Sequence, residues 1–445
     1  MNNRPFYLLI TIMAMAGLLT GFDAAIISGA LVFVSQHFAL QHHVFMQELI
    51  VSIVVIGGLF GAFLAKHLTA LMGRRMGVFS TALIFLLGTV LISTTHSVLI
   101  LIVGRFVLGL AVGLASMIAP MYLAEISPSH CRGSSVFFYQ LSVTFGFIAA
   151  YSVNFIFAQS GNWRAMFAIG IIPALLLVIG VWILPESPRW LLSKNRDEEA
   201  SRTINQYFFR DQDMSCSAIK NTLHQSDVAL KRLFSKPILP LLMTSILLFF
   251  FQSFTGINAI FYYAQTIFNH AGFEAKTGAM FASIGLGLAN FVAACVGAKL
   301  VDQMGRRRLL FYGYVGVIVC LLLMGCIGHG LFGQHAAAFS FVLLFIYTFC
   351  FGVSLGGIPY IVMAEIFPLK FRDQAMALAS GIGLWGSNII VLLSFLSLAN
   401  ALGMANVFWL YAVISLFGLF YCWKLLPETT QVSLENLEQR LANSA

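Results

Sequence analysis

Residues 99–132 read LILIVGRFVLGLAVGLASMIAPMYLAEISPSHCR, and residues 364–372 repeat the ending of that stretch as AEIFPLKFR. Residues 99–121 carry a single charge, Arg105. About 20 predominantly apolar residues are needed to cross a bilayer as a helix, so this stretch predicts a transmembrane helix with a polar motif at its end. Strands of a membrane barrel would alternate apolar and polar residues, whereas a helix satisfies its own backbone in lipid and can be apolar throughout. Twelve stretches of this kind lie near 7–34, 48–70, 78–97, 99–121, 135–158, 164–184, 237–268, 277–300, 309–328, 337–362, 375–400 and 405–426. The composition agrees: of 445 residues, 59% are hydrophobic and 9% charged, and mean hydropathy is +0.89. Soluble domains carry about 25% charged residues, so a set of soluble domains is excluded.

The repeat sets the architecture. Ala124 to Arg132 matches Ala364 to Arg372, each with Glu and Arg seven residues apart. MGRRMG after the second stretch is answered by MGRRRLL after the eighth, and PES after the sixth by PET after the twelfth. Three paired motifs in one order indicate duplication. The predicted fold is an all-α membrane protein of twelve transmembrane helices in two pseudo-symmetric six-helix bundles. The expected divisions are an N-terminal bundle over 1–184, a cytoplasmic helical linker over 185–236, a C-terminal bundle over 237–426 and a cytoplasmic tail over 427–445, in which VSLENLEQRL has the spacing of a short amphipathic helix. Repeats of this type carry their substrate site near the bilayer midplane, at the interface of the halves.

The net charge of +8 does not point to nucleic acid. With the N-terminus inside, Arg74, Arg75, Arg132, Arg306, Arg307, Arg308, Lys370, Arg372 and the cluster from Arg189 to Lys236 are cytoplasmic, while the other face holds little beyond Arg164 and Lys276. That is the positive-inside bias. The first stretch is too long for a cleavable signal and lacks a small-x-small site. The seven cysteines form no CxxC pair and are expected to pack reduced. No glycosylation sequon, nucleotide-binding P-loop, metal-ligand spacing or nucleophile–base pair occurs, so neither an ATP-driven pump nor an enzyme is expected, and no cofactor or metal.

A census of the 17 acidic residues singles out Asp23, which stands mid-depth in the first stretch while nearly all others fall in loops, the tail or span ends. A carboxylate there costs several kcal/mol and is ordinarily functional; the alternative is a purely structural ion pair. Arg105 is the basic residue well inside the fourth stretch. At ~1.5 Å per residue it lies about 10 Å from the outer face and Asp23 about 18 Å, a gap a long guanidinium closes in part. Gln140, Gln252, Asn258 and Asn388 each stand in an otherwise apolar span. An amide both donates and accepts, which suits the hydroxyls of a polar ligand, but it suits hydrogen bonds between packed helices equally well.

The stretches GFDAAIISGAL, the two GRR loops, GRFVLGLAVGLASMIAPMYLAEISP, PESPRWLL, QSFTGINAIFYYA, DQMGRRR, GGIPYIVMAEIFP and PETT together resemble the sugar porter family of the major facilitator superfamily, in particular its bacterial proton-coupled monosaccharide symporters. The resemblance runs over nearly the whole chain. It implies that Asp23 is the protonation site and Arg105 its partner, where facilitators of the family commonly carry a neutral residue in place of the acid. It implies sugar contacts at Gln140, Gln252, Asn258 and Asn388, and aromatic contacts at Tyr262, Tyr360 and Trp385, which taken alone would read as packing. It also implies an inner-face set of salt bridges from Arg74, Arg75, Glu125, Arg132, Glu186, Arg306, Arg307, Glu365, Arg372 and Glu428, with Arg189 beside them; snorkelling anchors are the plainer reading. Four positions depart from the family pattern: Ala70 where the second half keeps Asp302, Ser253 where a second Gln is common, Thr20 in place of Phe, and Leu384 in place of an amide.

The expected function is proton–monosaccharide symport by alternating access, with a passive sugar facilitator and a membrane sugar sensor as alternatives. The expected partners are a monosaccharide, a proton and the lipid bilayer, without nucleic acid, for a monomer in a bacterial inner membrane with both termini cytoplasmic. Gly104, Gly109 and Gly113 are expected to let helices approach, and Gly356, Gly357 and Pro359 to break the tenth span.

Overall fold

The computed structural model describes residues 4–127, 132–207, 233–234, 238–273, 276–330, 333–367, 372–424 and 426. Among them the structure is helical, with no strand, and twelve helical segments are long and apolar enough to cross a membrane. In chain order the helices are α1 Arg4–His37, α2 Val44–Met72, α3 Arg74–Thr94, α4 Val98–Ile126, α5 Arg132–Ile156, α6 Trp163–Ala168, α7 Ile171–Val181, α8 Pro188–Ser193, α9 Asp197–Tyr207, α10 Leu239–Ser253, α11 Ile257–Tyr262, α12 Ala264–His270, α13 Lys276–Met304, α14 Arg306–Gly328, α15 Ala336–Val353, α16 Ile358–Ile366, α17 Arg372–Ala379, a π-helical turn Ser380–Gly386, α18 Ser387–Leu402 and α19 Met404–Lys424. Their apolar outer faces stay uncovered by protein, as at Phe60, Leu87, Trp182, Phe417 and Phe420. So many exposed large apolar side chains are tolerable only in lipid.

Two compact units form. One comprises Met1–Ile26, Ile53–Val153 and Asn162–Asp227; the other comprises Ile27–Ser52, Asn154–Gly161 and Val228–Ala445. The later parts of α1 and the beginning of α2 therefore pack within the second unit. In the first, α2 and α4 touch backbone to backbone: a Cβ on Gly109 would stand 2.2 Å from the Val54 carbonyl oxygen, and one on Gly113 2.1 Å from that of Gly58. The second has a core in which Leu241, Leu242, Phe249, Met363, Ile366 and Phe367 are buried together.

Several spans are not continuous helices. The seventh, read from sequence as one run over 237–268, stops at Ser253 and restarts at Ile257. Gly256 there is left-handed at φ +85°, and the Tyr411 ring occupies the place of the missing Cβ, so no L side chain fits without strain. The tenth span breaks over 354–357, between α15 and α16, at the glycines singled out above. In the eleventh, α17 passes into the π turn before α18. Such turns insert one extra residue and often lie at functional sites.

The linker expected over 185–236 contains α8 and α9 in its described part. Ser187 caps α8, its side chain accepting from the Trp190 amide, with Pro188 at the first helical position, the favoured arrangement for a helix start. The amphipathic helix expected in 427–445 lies outside the described residues. The five cysteines among the described residues are free.

Candidate functional site

Asp23 on α1 and Arg105 on α4 meet. Arg105 Nη1 donates to Asp23 Oδ1 at 2.8 Å, with side-chain exposures of 0% and 1%. The guanidinium also lies over the Phe167 ring, 5.7 Å from its centroid. The sequence-level gap in depth is closed by the reach of the arginine. Only one carboxylate oxygen is committed: Oδ2 is buried and has no hydrogen-bond partner. A buried acid with one oxygen paired to a cation and the other uncommitted has room for a proton. The group no longer needs the arginine once the proton is on.

The polar amides of the second unit gather around the helix breaks. Gln252, at the end of α10, donates from Nε2 to the Leu355 carbonyl at 2.8 Å, an acceptor exposed by the break between α15 and α16. Its Oε1 is buried without a partner, so the side chain is pinned by one end and open at the other. Asn258, in the first turn of α11, donates from Nδ2 to Asn388 Oδ1 on α18. That bond leaves the Asn258 carbonyl and the Asn388 amino group for a ligand, one acceptor and one donor side by side. The seventh-span break brings Gln252 and Asn258 near in sequence yet onto separate helices. Trp385 lies in the π turn that precedes Asn388, and is half-buried. Tyr262 is buried. Tyr360 is 42% exposed and meets the Phe249 ring edge to face at 4.9 Å. Gln140 is an exposed side chain of α5 in the first unit.

The departures from the family pattern have structural counterparts. Ser253 is buried with its hydroxyl unpartnered. Thr20 turns its hydroxyl back to the Ala16 carbonyl at 3.0 Å. Leu384 packs against the apolar core around Phe249 and Ile366, where an amide would have no use.

Among the charges expected at the inner face, Arg74 grips Glu125 with two parallel bonds, Nε to Oε2 at 2.9 Å and Nη2 to Oε1 at 2.8 Å. Ser187 donates to the same carboxylate. The second unit repeats the pair as Arg306 Nη2 to Glu365 Oε1 at 2.9 Å. Each pair joins helices of its own unit. Glu186 serves differently: its carboxylate accepts from the amides of Arg74 at 2.8 Å and of Arg75 at 3.3 Å, capping α3. Negative charge is favoured at such an N-terminus. Burial pushes the Glu186 carboxyl above the usual carboxylate range, and the amides of Ser187, Arg74 and Arg75 with the Arg74 charge counter it in part. Arg75 reaches the carbonyls of Val181 and Trp182, both at 3.1 Å, and Arg307 reaches that of Trp423. Where the first half has Ala70 in place of an acid, the Ala70 carbonyl accepts from the Trp190 indole at 3.3 Å. Arg189 is half-buried. The side chains of Arg132, Asp302 and Arg372, and all of Glu428, lie outside the described residues.

Sequence reasoning passed over Glu48, a span-end acid there. In the structure it is 0% exposed on α2 and accepts from Ser397 on α18. A signal was present in the apolar residues Val51 and Val55 at i+3 and i+7, which put Glu48 on the packed side of the helix.

The sequence profile described as "Sugar (and other) transporter" matches residues 9–441. A galactose-proton symporter of Escherichia coli (strain K12) is 37% identical over 450 residues, covering 99% of this chain and 95% of that one. An arabinose-proton symporter of the same organism is 35% identical over 438 residues, covering 96% and 92%. Among solved structures, the proton:xylose symporter XylE bound to 6-bromo-6-deoxy-D-glucose superposes with a TM-score of 0.80 at 27% identity, covering 99% of this chain and 100% of that chain. The buried acid–arginine pair, the amides set at helix breaks and the duplicated charge pairs thus sit in an integral membrane protein of the major facilitator fold, and the chain belongs to the sugar transporter family.

Proposed function

We propose that the protein is a proton-coupled monosaccharide symporter working by alternating access. The observation that carries this reading is the buried Asp23–Arg105 pair with Oδ2 uncommitted. Protonation of Asp23 removes the ion pair, and a two-state carrier then redistributes between its forms according to the difference in free energy between them. Sugar is bound by Gln252, Asn258 and Asn388 through hydroxyl hydrogen bonds and by Tyr262, Tyr360 and Trp385 through ring faces; Gln140 keeps its proposed contact on the family pattern alone. The Arg74–Glu125 and Arg306–Glu365 pairs, with Arg75, Arg307, Glu186 and, by the same pattern, Arg132, Arg372 and Glu428, form the inner gate. The galactose- and arabinose-proton symporters that the chain resembles support both the coupling and the substrate class. The protein acts as a monomer in a bacterial inner membrane, with both termini cytoplasmic.

The test is uptake by proteoliposomes of a panel of pentoses, hexoses and cyclic polyols, with and without an imposed proton gradient. A symporter accumulates its sugar only with the gradient. Equal equilibration in both conditions identifies a facilitator, and sugar binding without any flux identifies a sensor.

A further inference from the structure

Glu48 is a carboxyl side chain in an apolar place. It stands in the second turn of α2, wholly buried, and among the described residues it has no cationic partner within salt-bridge reach. Its donors come from one helix. Ser397 of α18 gives its backbone N–H to Oε1 at 2.7 Å and its hydroxyl to Oε2 at 2.6 Å. Backbone amides in the body of a helix ordinarily serve only their own turn. Here an acid 349 positions away in the chain engages one of them.

The clamped helix is the one that carries Asn388. Ser397 lies nine residues further along α18, about 13 Å at ~1.5 Å per residue. Tyr263, next to the proposed sugar contact Tyr262, stacks on Phe395 of the same helix at 5.1 Å and donates its hydroxyl to the Leu392 carbonyl at 2.9 Å. So one end of α18 is held by Glu48, its middle by the residue following α11, and its other end by Asn258.

We infer that Glu48 is a latch at the end of the bundle opposite the GRR loops: it closes that end by gripping Ser397 on the sugar-binding helix, and it must let go when that end opens. The chemistry of a carboxylate suits a contact that is made and broken. Charge-assisted hydrogen bonds to a helix backbone are strong when dry, and a released carboxylate is well hydrated, so both states are accessible. A permanent packing contact is made more cheaply by an apolar residue, which carries no desolvation cost. Glu48 is in this sense a positioning residue for transport and does not touch sugar. The inference rests on the transporter reading above.

The experiment is pulsed electron–electron resonance on the full chain in lipid nanodiscs without sugar. Nitroxides replace the exposed residues Gln41 and Ala401 in a background from which the native cysteines have been removed. Glu48→Ala is expected to raise a distinct longer-distance population about tenfold relative to the short one. Ser397→Ala, which removes one of the donors and leaves the Glu48 carboxyl in place, is expected to shift it in the same direction by less, and is read alone if Glu48→Ala does not fold. In transport, the external KM and kcat of Glu48→Ala are expected to fall together, since the carrier waits with that end open. An unchanged distance distribution overturns the latch, and so does uniform broadening without a second population, which marks a merely structural contact. The distance measurement needs no sugar, so its failure is separable from failure of the symport reading.

Discussion

Asn at position 23 keeps the shape of Asp but can neither carry the charge nor take the proton. The structure sets two magnitudes for Asp23→Asn. The first is coupling. One proton moving down 100 mV supplies about 2.3 kcal/mol, enough for roughly 50-fold sugar accumulation. The variant should lose all of it, so that internal sugar rises only to the external concentration. The second is stability. Both side chains of the Asp23–Arg105 pair are essentially unexposed, so the small values measured for surface pairs do not apply. Removing one partner of a buried pair costs about 3–5 kcal/mol, because Arg105 is left as an uncompensated buried cation. Asp23→Asn combined with Arg105→Gln should recover most of that loss in a melt, since the orphan charge is gone. The assay is sugar accumulation and sugar counterflow in the same proteoliposomes, with the thermal melt of each variant alongside. Counterflow should persist in Asp23→Asn, because exchange needs no net proton. Accumulation against a gradient in that variant would refute the coupling assignment. A double variant no more stable than the single would refute the electrostatic account of the pair.

Gln252→Ala removes the buried amide whose Oε1 is open and should weaken sugar binding by about 1–3 kcal/mol; titration calorimetry or the half-saturating sugar in counterflow reads it, and unchanged affinity removes Gln252 from the site. Arg74→Ala breaks a bidentate, half-buried pair and leaves Glu125 with Ser187 as its remaining donor, so it should destabilise the first unit more than Arg196→Ala, whose pair with Glu199 is exposed; a melting comparison decides. Burial raises Glu186 above the unfolded carboxylate value of 4.5. The sign follows: its contribution to stability is fully present below that value and diminishes as pH rises through the raised folded value. Mild acid should therefore not loosen this end of α3, and Glu186→Gln should flatten the pH dependence of the melt between mildly acidic and neutral conditions.

Much of this protein is legible in one dimension because the bilayer imposes a one-dimensional rule. A helix must be apolar for the thickness of the membrane, so twelve runs predict twelve spans and the duplicated AEI and GRR motifs predict two halves. The same cost of burying charge made Asp23 conspicuous, and no structure was needed to suspect it. Breaks are harder to see. Gly356, Gly357 and Pro359 announced one, but the stop at Gly256 and the π turn at Ser380–Gly386 were invisible within runs that are apolar on either side of them.

Partnerships were decided only in three dimensions. Sequence named Glu186 as one charge among many at the inner face; the structure makes it the cap of α3, because backbone amides that no motif records point at it. Glu48 shows the limit most clearly. In sequence it is an acid at the edge of a hydrophobic run, the place where acids are ordinarily solvated. In the folded chain it is dry, because a helix 349 positions away in sequence brings an amide and a hydroxyl to it. The sequence by itself determined which segments enter the membrane, since that depends on local composition. Which polar groups meet there depends on where separate helices cross, and only the tertiary structure decides it.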